Sequence, residues 1–268
     1  MATSRWEPCL QLKNGQLRAE LKEARRCGGK ALTDDDAVEL ARALPTLLRR
    51  HGARDERPLA ISLFDASAQR LGDASCAALA RSLSLGGEAY PLVASVQVLK
   101  LYRNNIGDQG ARLLADWLRT AAAGLEELHL SHNRIGTDGA VALVRAAVAS
   151  GRYPLKSRVR SGCGLWCRLE QNRVDVAAAM RRLAADDFGL DVQTFQDRDR
   201  HGAARPVVRV CDSHGREVVN LAWFQNQRAR PEDLEEEDEE EEEQPWGHEE
   251  AWEAWPGVEE EEEEDEEE

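Results

Sequence analysis

Hydrophobic residues recur in one spacing three times in the middle of the chain. Residues 99–106 and 128–135 both follow the pattern Leu-x-Leu-x-x-Asn-x-Ile, and residues 167–174 follow it with Cys and Val at the ends. Apolar residues on both sides of one outward position are typical of a strand that buries one face. A degenerate fourth copy opens at Ile61-Ser62-Leu63, from which an extended loop would lead to Leu71. Repetition at this scale predicts a repeat architecture.

A helical pattern follows each of these strand segments. Apolar residues spaced three and four apart begin at Ala111 and at Ala140, behind the sequences Gly-Asp-x-Gly-Ala and Gly-Thr-Asp-Gly-Ala. The same spacing recurs at 37–44 and 76–83, and more weakly at 179–183. Such a face packs against an apolar layer, and the small residues before each helix let it approach the strand closely. The chain therefore predicts strands and helices in alternation.

The residues that close the strand segments give the repeat lengths. The steps between them are 39, 35, 29 and 39 residues when they are taken at Leu32, Leu71, Ile106, Ile135 and Val174. A step of 29 residues belongs to the long, helix-containing class of this repeat, and the longer steps hold inserted loops.

The frame Asn-x-Ile-Gly-x-x-Gly-Ala occurs at 104–111 and again at 133–140. On these residues the segment 59–183 resembles the ribonuclease-inhibitor class of leucine-rich repeat proteins. That resemblance implies a parallel inner sheet, outer helices, asparagines that bond neighbouring turns, and a protein-binding role. We therefore expect an α/β fold: a short leucine-rich-repeat solenoid with parallel inner strands, outer helices, hairpin caps and a disordered acidic tail. The few repeats and their irregular spacing predict a short arc rather than a horseshoe.

Both ends of the repeat array carry hairpin patterns. Residues 10–21 alternate apolar and polar positions around Asn14-Gly15, which favours a hairpin, while a helix over 16–26 is the competing interpretation because Ala, Glu and Lys favour helix. Near the other end, β-branched runs at 206–211 and 217–221 flank a His-Gly turn. The predicted organisation is an N-terminal capping hairpin at 1–31, leucine-rich repeats at 32–183, a C-terminal cap with a hairpin at 184–230 and a disordered acidic tail at 231–268.

The charge distribution divides the chain near residue 231. Of the 50 acidic residues, 24 lie from Glu232 onward, where no Lys or Arg occurs, so the preceding chain holds 26 acidic and 35 basic residues and a formal charge of +9. An acidic tail of this kind attracts basic proteins, or it serves only to solubilise the protein or to screen its body. A nucleic-acid role would depend on the positive body alone and is not favoured.

Side chains between the buried leucines share the inner face of the predicted arc, where a partner would bind. On this face aromatic residues stand beside charged ones, a combination that is common at the centre of protein interfaces. The competing interpretation is that Phe64 and Trp166 pack under neighbouring loops. We predict the following protein-binding residues: Phe64, Lys100, Tyr102, Glu127, His129, Trp166, Arg168 and Glu170.

The sequence contains no pattern typical of a catalytic or metal site. His129 and His132 lie three apart without a closing pair of ligands, the six cysteines form no Cys-x-x-Cys pair, and no Gly-rich phosphate loop occurs. We therefore expect no enzymatic activity, no cofactor and no metal. The N-terminus lacks a secretory pattern and no apolar stretch approaches the roughly 20 residues that span a bilayer. These features predict a cytoplasmic or nuclear protein without a membrane partner.

The sequence thus favours a non-enzymatic scaffold or regulator that binds another protein through the inner face, while the acidic tail engages or shields basic surfaces. Two alternatives stay open. Repeats followed by an acidic tail resemble the acidic leucine-rich nuclear phosphoproteins, which are histone-binding regulators with shorter repeats. The Ran GTPase-activating proteins share the repeat class and the acidic tail, which would imply a regulator of a small GTPase; their arrays are longer, and no arginine here is placed as their finger.

Overall fold

Strands alternate with helices along the part of the chain that the computed structural model describes. That part comprises residues 5–14, 16–21, 30–54, 59–83, 93–121, 124–156, 161–185, 188–198, 204–222, 224–225 and 227. Contacts divide the chain into two units, Met1–Ala229 and Arg230–Glu268, and every described residue belongs to the first. The predicted disordered tail at 231–268 lies outside the described residues.

Five α-helices and eleven strands are formed by the described residues. The helices are α1 (Asp34–Arg50), α2 (Asp73–Leu83), α3 (Asp108–Thr120), α4 (Thr137–Ala149) and α5 (Val176–Ala184). The strands are β1 (Leu10–Lys13), β2 (Gln16–Glu20), β3 (Leu59–Asp65), β4 (Val93–Lys100), β5 (Glu127–His129), β6 (Leu155–Lys156), β7 (Ser161–Cys163), β8 (Leu165–Arg168), β9 (Asp191–Arg198), β10 (Ala204–Cys211) and β11 (Glu217–Ala222).

Nine of these strands form one sheet in the order β1-β2-β3-β4-β5-β8-β11-β10-β9, while β6 pairs with β7. The strands β2, β3, β4, β5, β8 and β11 are each parallel to their neighbours within this group. A helix follows each of β3, β4, β5 and β8, and consecutive helices pack against each other. The predicted α/β fold, a short leucine-rich-repeat solenoid with parallel inner strands and outer helices, is confirmed.

Antiparallel pairing ends the sheet on both sides. At the first end, β1 and β2 form a hairpin over 10–20 rather than the competing helix. At the last end, β10 pairs with β11 and with β9. Of these C-terminal strands it is β11 that continues the parallel array, because it pairs with β8 in the direction that a further repeat would have.

One row of side chains continues through the core across all six parallel strands. Each member is at most 1% exposed and is paired with the next across the sheet: Ala19, Phe64, Leu99, Leu128, Cys167 and Leu221. Phe64 therefore belongs to the core, and the prediction that places it on the inner face is wrong. Ile61 and Phe64 both point into the core although they are three apart, because Ser62 is an extra residue relative to β2. A bulge of this kind breaks the simple alternation from which the prediction was counted.

Asparagine side chains join consecutive repeats through buried hydrogen bonds. The Oδ1 atom of Asn133 accepts from the N–H of Ile106 at 3.0 Å. Its Nδ2 atom donates to the carbonyl of Leu101 at 2.9 Å, in the preceding turn, and to that of Leu130 at 3.0 Å, in its own turn. The repeats are therefore held together by a polar ladder as well as by apolar packing.

Two glutamines extend this ladder beyond the asparagines. Gln69 Oε1 accepts from the N–H of Leu32 at 2.8 Å, so the first repeat runs from Phe64 through Gln69 to Leu71 without the extended loop that the sequence predicted. At the other end, Gln227 Nε2 donates to the carbonyl of Leu169 at 3.2 Å, and its Oε1 accepts from the N–H of Asn172 at 3.1 Å. The residue before each of the four ladder positions in the repeats has a left-handed backbone: Ala68, Arg103, His132 and Gln171.

A second ladder runs along the helix starts. Asp108 Oδ1 accepts from the N–H groups of Gly136 at 2.8 Å and Gly139 at 2.9 Å, both in the following repeat. Asp34 and Asp73 make the same kind of bond to the turns that follow them. A Cβ atom on Gly139 would lie 2.6 Å from Asp108 Oδ1. Glycine is thus required where one helix start approaches the next.

Candidate protein-binding face

The inner face of the sheet carries two adjoining rows of side chains. The first, which we call the charged row, consists of residues paired in register across five strands: Glu20, Asp65, Lys100, His129 and Arg168. The second row contains Arg18, Leu63, Val98, Glu127, Trp166 and Asn220. Because paired strands lie about 4.8 Å apart, Lys100, His129 and Arg168 stand side by side, as the sequence predicted.

Two further predicted residues lie directly beyond the strands. Tyr102 accepts a backbone hydrogen bond from Ala68 at 2.9 Å, and Glu170 accepts the equivalent bond from His132 at 3.0 Å. Both therefore occupy the same position of the repeat, two residues after the charged row. Together with the two rows, these positions bring seven of the eight predicted residues onto one face.

His129 is the most constrained side chain of this face. Its ring meets that of Trp166 edge-on, with 5.1 Å between the ring centroids. Its Nε2 atom lies 3.5 Å from Glu127 Oε2, which is long for a hydrogen bond, and has no hydrogen-bond partner. Burial lowers the pKa of His129. The Glu127 carboxylate acts against this effect, and the positive charge of Arg168 lowers the pKa further. The imidazole is therefore neutral at neutral pH.

Arg168 and Glu170 form an ion pair at the end of β8. The Arg168 Nε atom donates to Glu170 Oε1 at 2.7 Å, and the Nη2 atom contacts the same oxygen. The other carboxylate oxygen, Oε2, is buried without a hydrogen-bond partner. The pair is thus fixed on one side and leaves one acceptor unsatisfied, which costs free energy in a folded protein.

Lys100 stands between Asp65 and His129 on the charged row, and Glu127 lies on the adjoining row. Burial lowers the pKa of its ammonium group, and Asp65 and Glu127 counteract this by stabilising the charged form. Glu20 and Asp65 are the two members of the row that the sequence reasoning missed. Asp65 lies four residues before the ladder residue Gln69, just as Lys100 lies four residues before Asn104. Counting back from Gln69, rather than forward from Ile61, therefore identifies Asp65.

The face is more closely packed than the sequence predicted. Lys100 and Glu170 are each 5% exposed, His129 is 7% exposed and Glu127 is 9% exposed. Tyr102, Trp166 and Arg168 are half-buried. The charged residues of the face therefore pack tightly, and these three half-buried side chains offer the larger accessible area.

Two other kinds of site are absent from the described ranges. No group of three or more His, Cys, Asp or Glu side chains in this part of the chain could hold a metal ion. Among the described helices, none is long and apolar enough to cross a membrane.

Comparison with known protein families identifies two leucine-rich repeats in the chain. The family model described as Leucine Rich repeat matches residues 94–115, which run from β4 into α3, and residues 125–144, which run from β5 into α4. A comparison with curated proteins finds no matching sequence.

Proposed function

We propose that this protein is a non-enzymatic scaffold or regulator that binds another protein through the inner face of its short repeat arc. The observation that supports this most directly is the register that sets Lys100, His129 and Arg168 side by side across three strands. Leucine-rich repeats generally bind proteins, and a curved sheet offers a partner many positions at once. Aromatic and arginine side chains at half-buried positions are typical anchors of such interfaces.

A photo-crosslinking experiment tests the use of this face. A photoreactive amino acid replaces Tyr102 on the inner face or, as the matched control, Arg42 on the exposed side of α1. We expect light-dependent adducts in native extract from position 102 and none of the same mass from position 42. Adducts formed equally from both positions, or from position 42 alone, would contradict the proposal.

The acidic segment from Glu232 onward supplies the second part of the proposal. Its 24 acidic residues carry no compensating Lys or Arg, so it would engage or shield basic surfaces of other proteins. Deleting 232–268 should leave the thermal unfolding of the remaining chain unchanged and weaken binding to a basic protein such as a histone. The loss should shrink as salt rises, because exposed charges are screened. Equal binding with and without the segment would show that it has no such role.

Cysteine chemistry supports a reducing compartment, which for this protein we take to be the cytoplasm or the nucleus. Each of the cysteines in the described residues is a free thiol. Burial raises the pKa of Cys76 and of Cys167, so both thiols stay protonated and unreactive in the core.

A further inference from the structure

A row of arginines lies along one edge of the solenoid, where the strands end and the helices begin. Arg70, Arg134 and Arg173 occupy the same position of their repeats. Each donates its backbone N–H to the carbonyl of the preceding repeat, at 2.8, 2.9 and 2.9 Å respectively. Asn105 fills the equivalent position between Arg70 and Arg134, with a bond of 2.8 Å. We call Arg70, Arg134 and Arg173 the arginine row.

The side chains of the arginine row are accessible and unneutralised. All three arginines are exposed. Within the described residues, none of their guanidinium groups forms an ion pair or a side-chain hydrogen bond. Arg112 and Arg182 behave differently, since both pair with Asp138 on the helix surface. Unpaired arginines at a repeated position therefore distinguish this edge from the helix surface.

The surrounding charges make this edge attractive to anions. Arg134 and Arg173 lie in neighbouring repeats, whose strands are about 4.8 Å apart, so the two like charges repel each other. The loops at 66–72, 101–107 and 130–136 contain no acidic residue, whereas the equivalent loop at 169–175, which holds Arg173, contains Glu170 and Asp175. Helices α2, α3 and α4 begin directly after the first three loops, and their first amides already donate to Asp34, Asp73 and Asp108. The positive charge of this edge therefore comes from the arginines themselves. An anionic partner would relieve the repulsion along the whole edge.

The positive strip is only one side chain wide. Carboxylates flank it on the inner face at Asp65, Glu127 and Glu170, and on the helix side at Asp73, Asp108 and Asp138. A nucleic-acid double helix is much wider than this strip, so its phosphates would lie over these carboxylates and be repelled by them. An extended peptide is narrower than a duplex and can present every second side chain to the arginines.

We propose that the arginine row is a docking edge for an extended acidic peptide segment of a partner protein. The guanidinium groups would receive its carboxylates, the pairing for which arginine geometry is best suited. This site is separate from the inner face, so a partner could occupy both, and its existence does not depend on the proposed function of that face.

Titration of the full-length chain against a fluorescein-labelled peptide of twelve glutamates tests the proposal by fluorescence anisotropy. The variant carries Arg134→Gln and Arg173→Gln together. The matched control carries Arg42→Gln and Arg181→Gln, two exposed arginines on outer helices, and so has the same net charge. At low salt we expect the row variant to bind about tenfold more weakly than the natural chain, since each exposed ion pair contributes modestly. The control should change less than about twofold, and circular dichroism should show both variants folded.

Several results would overturn this assignment. Equal weakening in both variants would mean that only net charge matters, and no binding to any form of the chain would remove the site. Stronger competition by a single-stranded oligonucleotide of equal charge would assign the edge to nucleic acid. Peptide binding that appears only when the chain is ended after Arg230 would assign it to the chain's own glutamate-rich segment instead of a partner.

Discussion

Asn133 shows how much of the repeat array depends on single side chains. Its amide satisfies one buried N–H and two buried carbonyls that belong to two successive turns. The exposed Asn105, by contrast, bonds through its backbone. The two asparagines therefore separate a structural role from a surface one within the same part of the fold.

Replacing Asn133 with alanine should lower the free energy of unfolding by about 2–4 kcal/mol, because buried backbone groups lose their partners. Urea unfolding followed by circular dichroism measures this. Asn105→Ala is the control and should change stability by less than about 0.5 kcal/mol. If the two variants were equally stable, the ladder would not contribute to cohesion between repeats.

His129 should make the stability of the protein depend on pH. Its pKa is lowered in the folded chain, so below about pH 6.5 the unfolded chain binds more protons than the folded one. The free energy of unfolding should therefore fall as the pH is lowered from 7.5 to 5.5. Glu127, Lys100 and Arg168 are the charged groups that face the ring.

His129→Gln should reduce this pH dependence, as measured by urea unfolding at several pH values. His214→Gln provides the control, since His214 is exposed in the turn between β10 and β11, and it should keep the slope of the natural chain. A slope that is unchanged in His129→Gln would mean that another group titrates in this range.

Two residues of the first repeat, Gln69 and Phe64, could not be placed correctly from the sequence. Gln69 performs the bonding of an asparagine with one more methylene, so the frame L-x-L-x-x-N does not reveal it. Without that marker, counting from Ile61 places Phe64 on the wrong face of the sheet. The cleaner copies, which contain Asn104, Asn133 and Asn172, were placed correctly because their ladder residue is unambiguous.

At the scale of elements, the distance between neighbouring helices is set by small residues at their starts. Asp108 on α3 reaches across to the first turn of α4 and bonds the N–H of Gly139. A Cβ at this position would also lie 2.8 Å from the Cβ of Ala111. Close approach and the aspartate bond therefore require the same glycine.

Gly139→Ala should destabilise the protein by about 1–2 kcal/mol, because overpacking between α3 and α4 outweighs the better helix propensity of alanine. Thermal or urea unfolding measures the change. Gln109→Ala, at an exposed position of α3, should be nearly neutral. A stabilised Gly139→Ala variant would show that the helices can separate without cost.

Elements with strong local signals could be predicted, and elements defined by their neighbours could not. The hairpins at both ends follow from alternation and turn residues. That β11, rather than β10, adds to the repeat sheet follows from pairing with β8, which lies about fifty residues earlier in the chain. No local pattern encodes such a choice between two adjacent β-branched strands.

For the whole molecule, the C-terminal strands cover the edge of β8, where the repeat strands would otherwise end. Val219 and Leu221 on β11 are fully buried, as is Phe224 after it. Removing this layer would expose the apolar side of β8 and its unpaired backbone groups. Edges of that kind promote aggregation.

A chain ended after Ala185 should therefore fail to fold cooperatively and should aggregate, whereas a chain ended after Arg230 should unfold like the full-length protein. Differential scanning calorimetry and size-exclusion chromatography distinguish the two outcomes. A monomeric, cooperatively folded 1–185 fragment would show that the repeats need no cap on this side.

The register of the candidate face could be predicted at this scale, but its degree of burial could not. Parallel strands with one repeated frame necessarily align Lys100, His129 and Arg168. How closely their side chains pack depends on curvature and on partners such as Trp166, which lies on a different strand from His129. The arginine row went unnoticed for a similar reason, since its members are 39 and 64 residues apart.

The ladder bonds imply that the array has no intrinsic length. Asn133 and Asp108 each bond only their own turn and one adjacent turn. These bonds therefore do not depend on how many turns precede or follow. If a duplicate of residues 107–135 were inserted after Ile135, both junctions would offer the same hydrogen-bond donors and acceptors as the junctions between the natural repeats. The gene could therefore grow or shrink by whole modules, changing the span offered to a partner by about 4.8 Å each time without redesigning the protein.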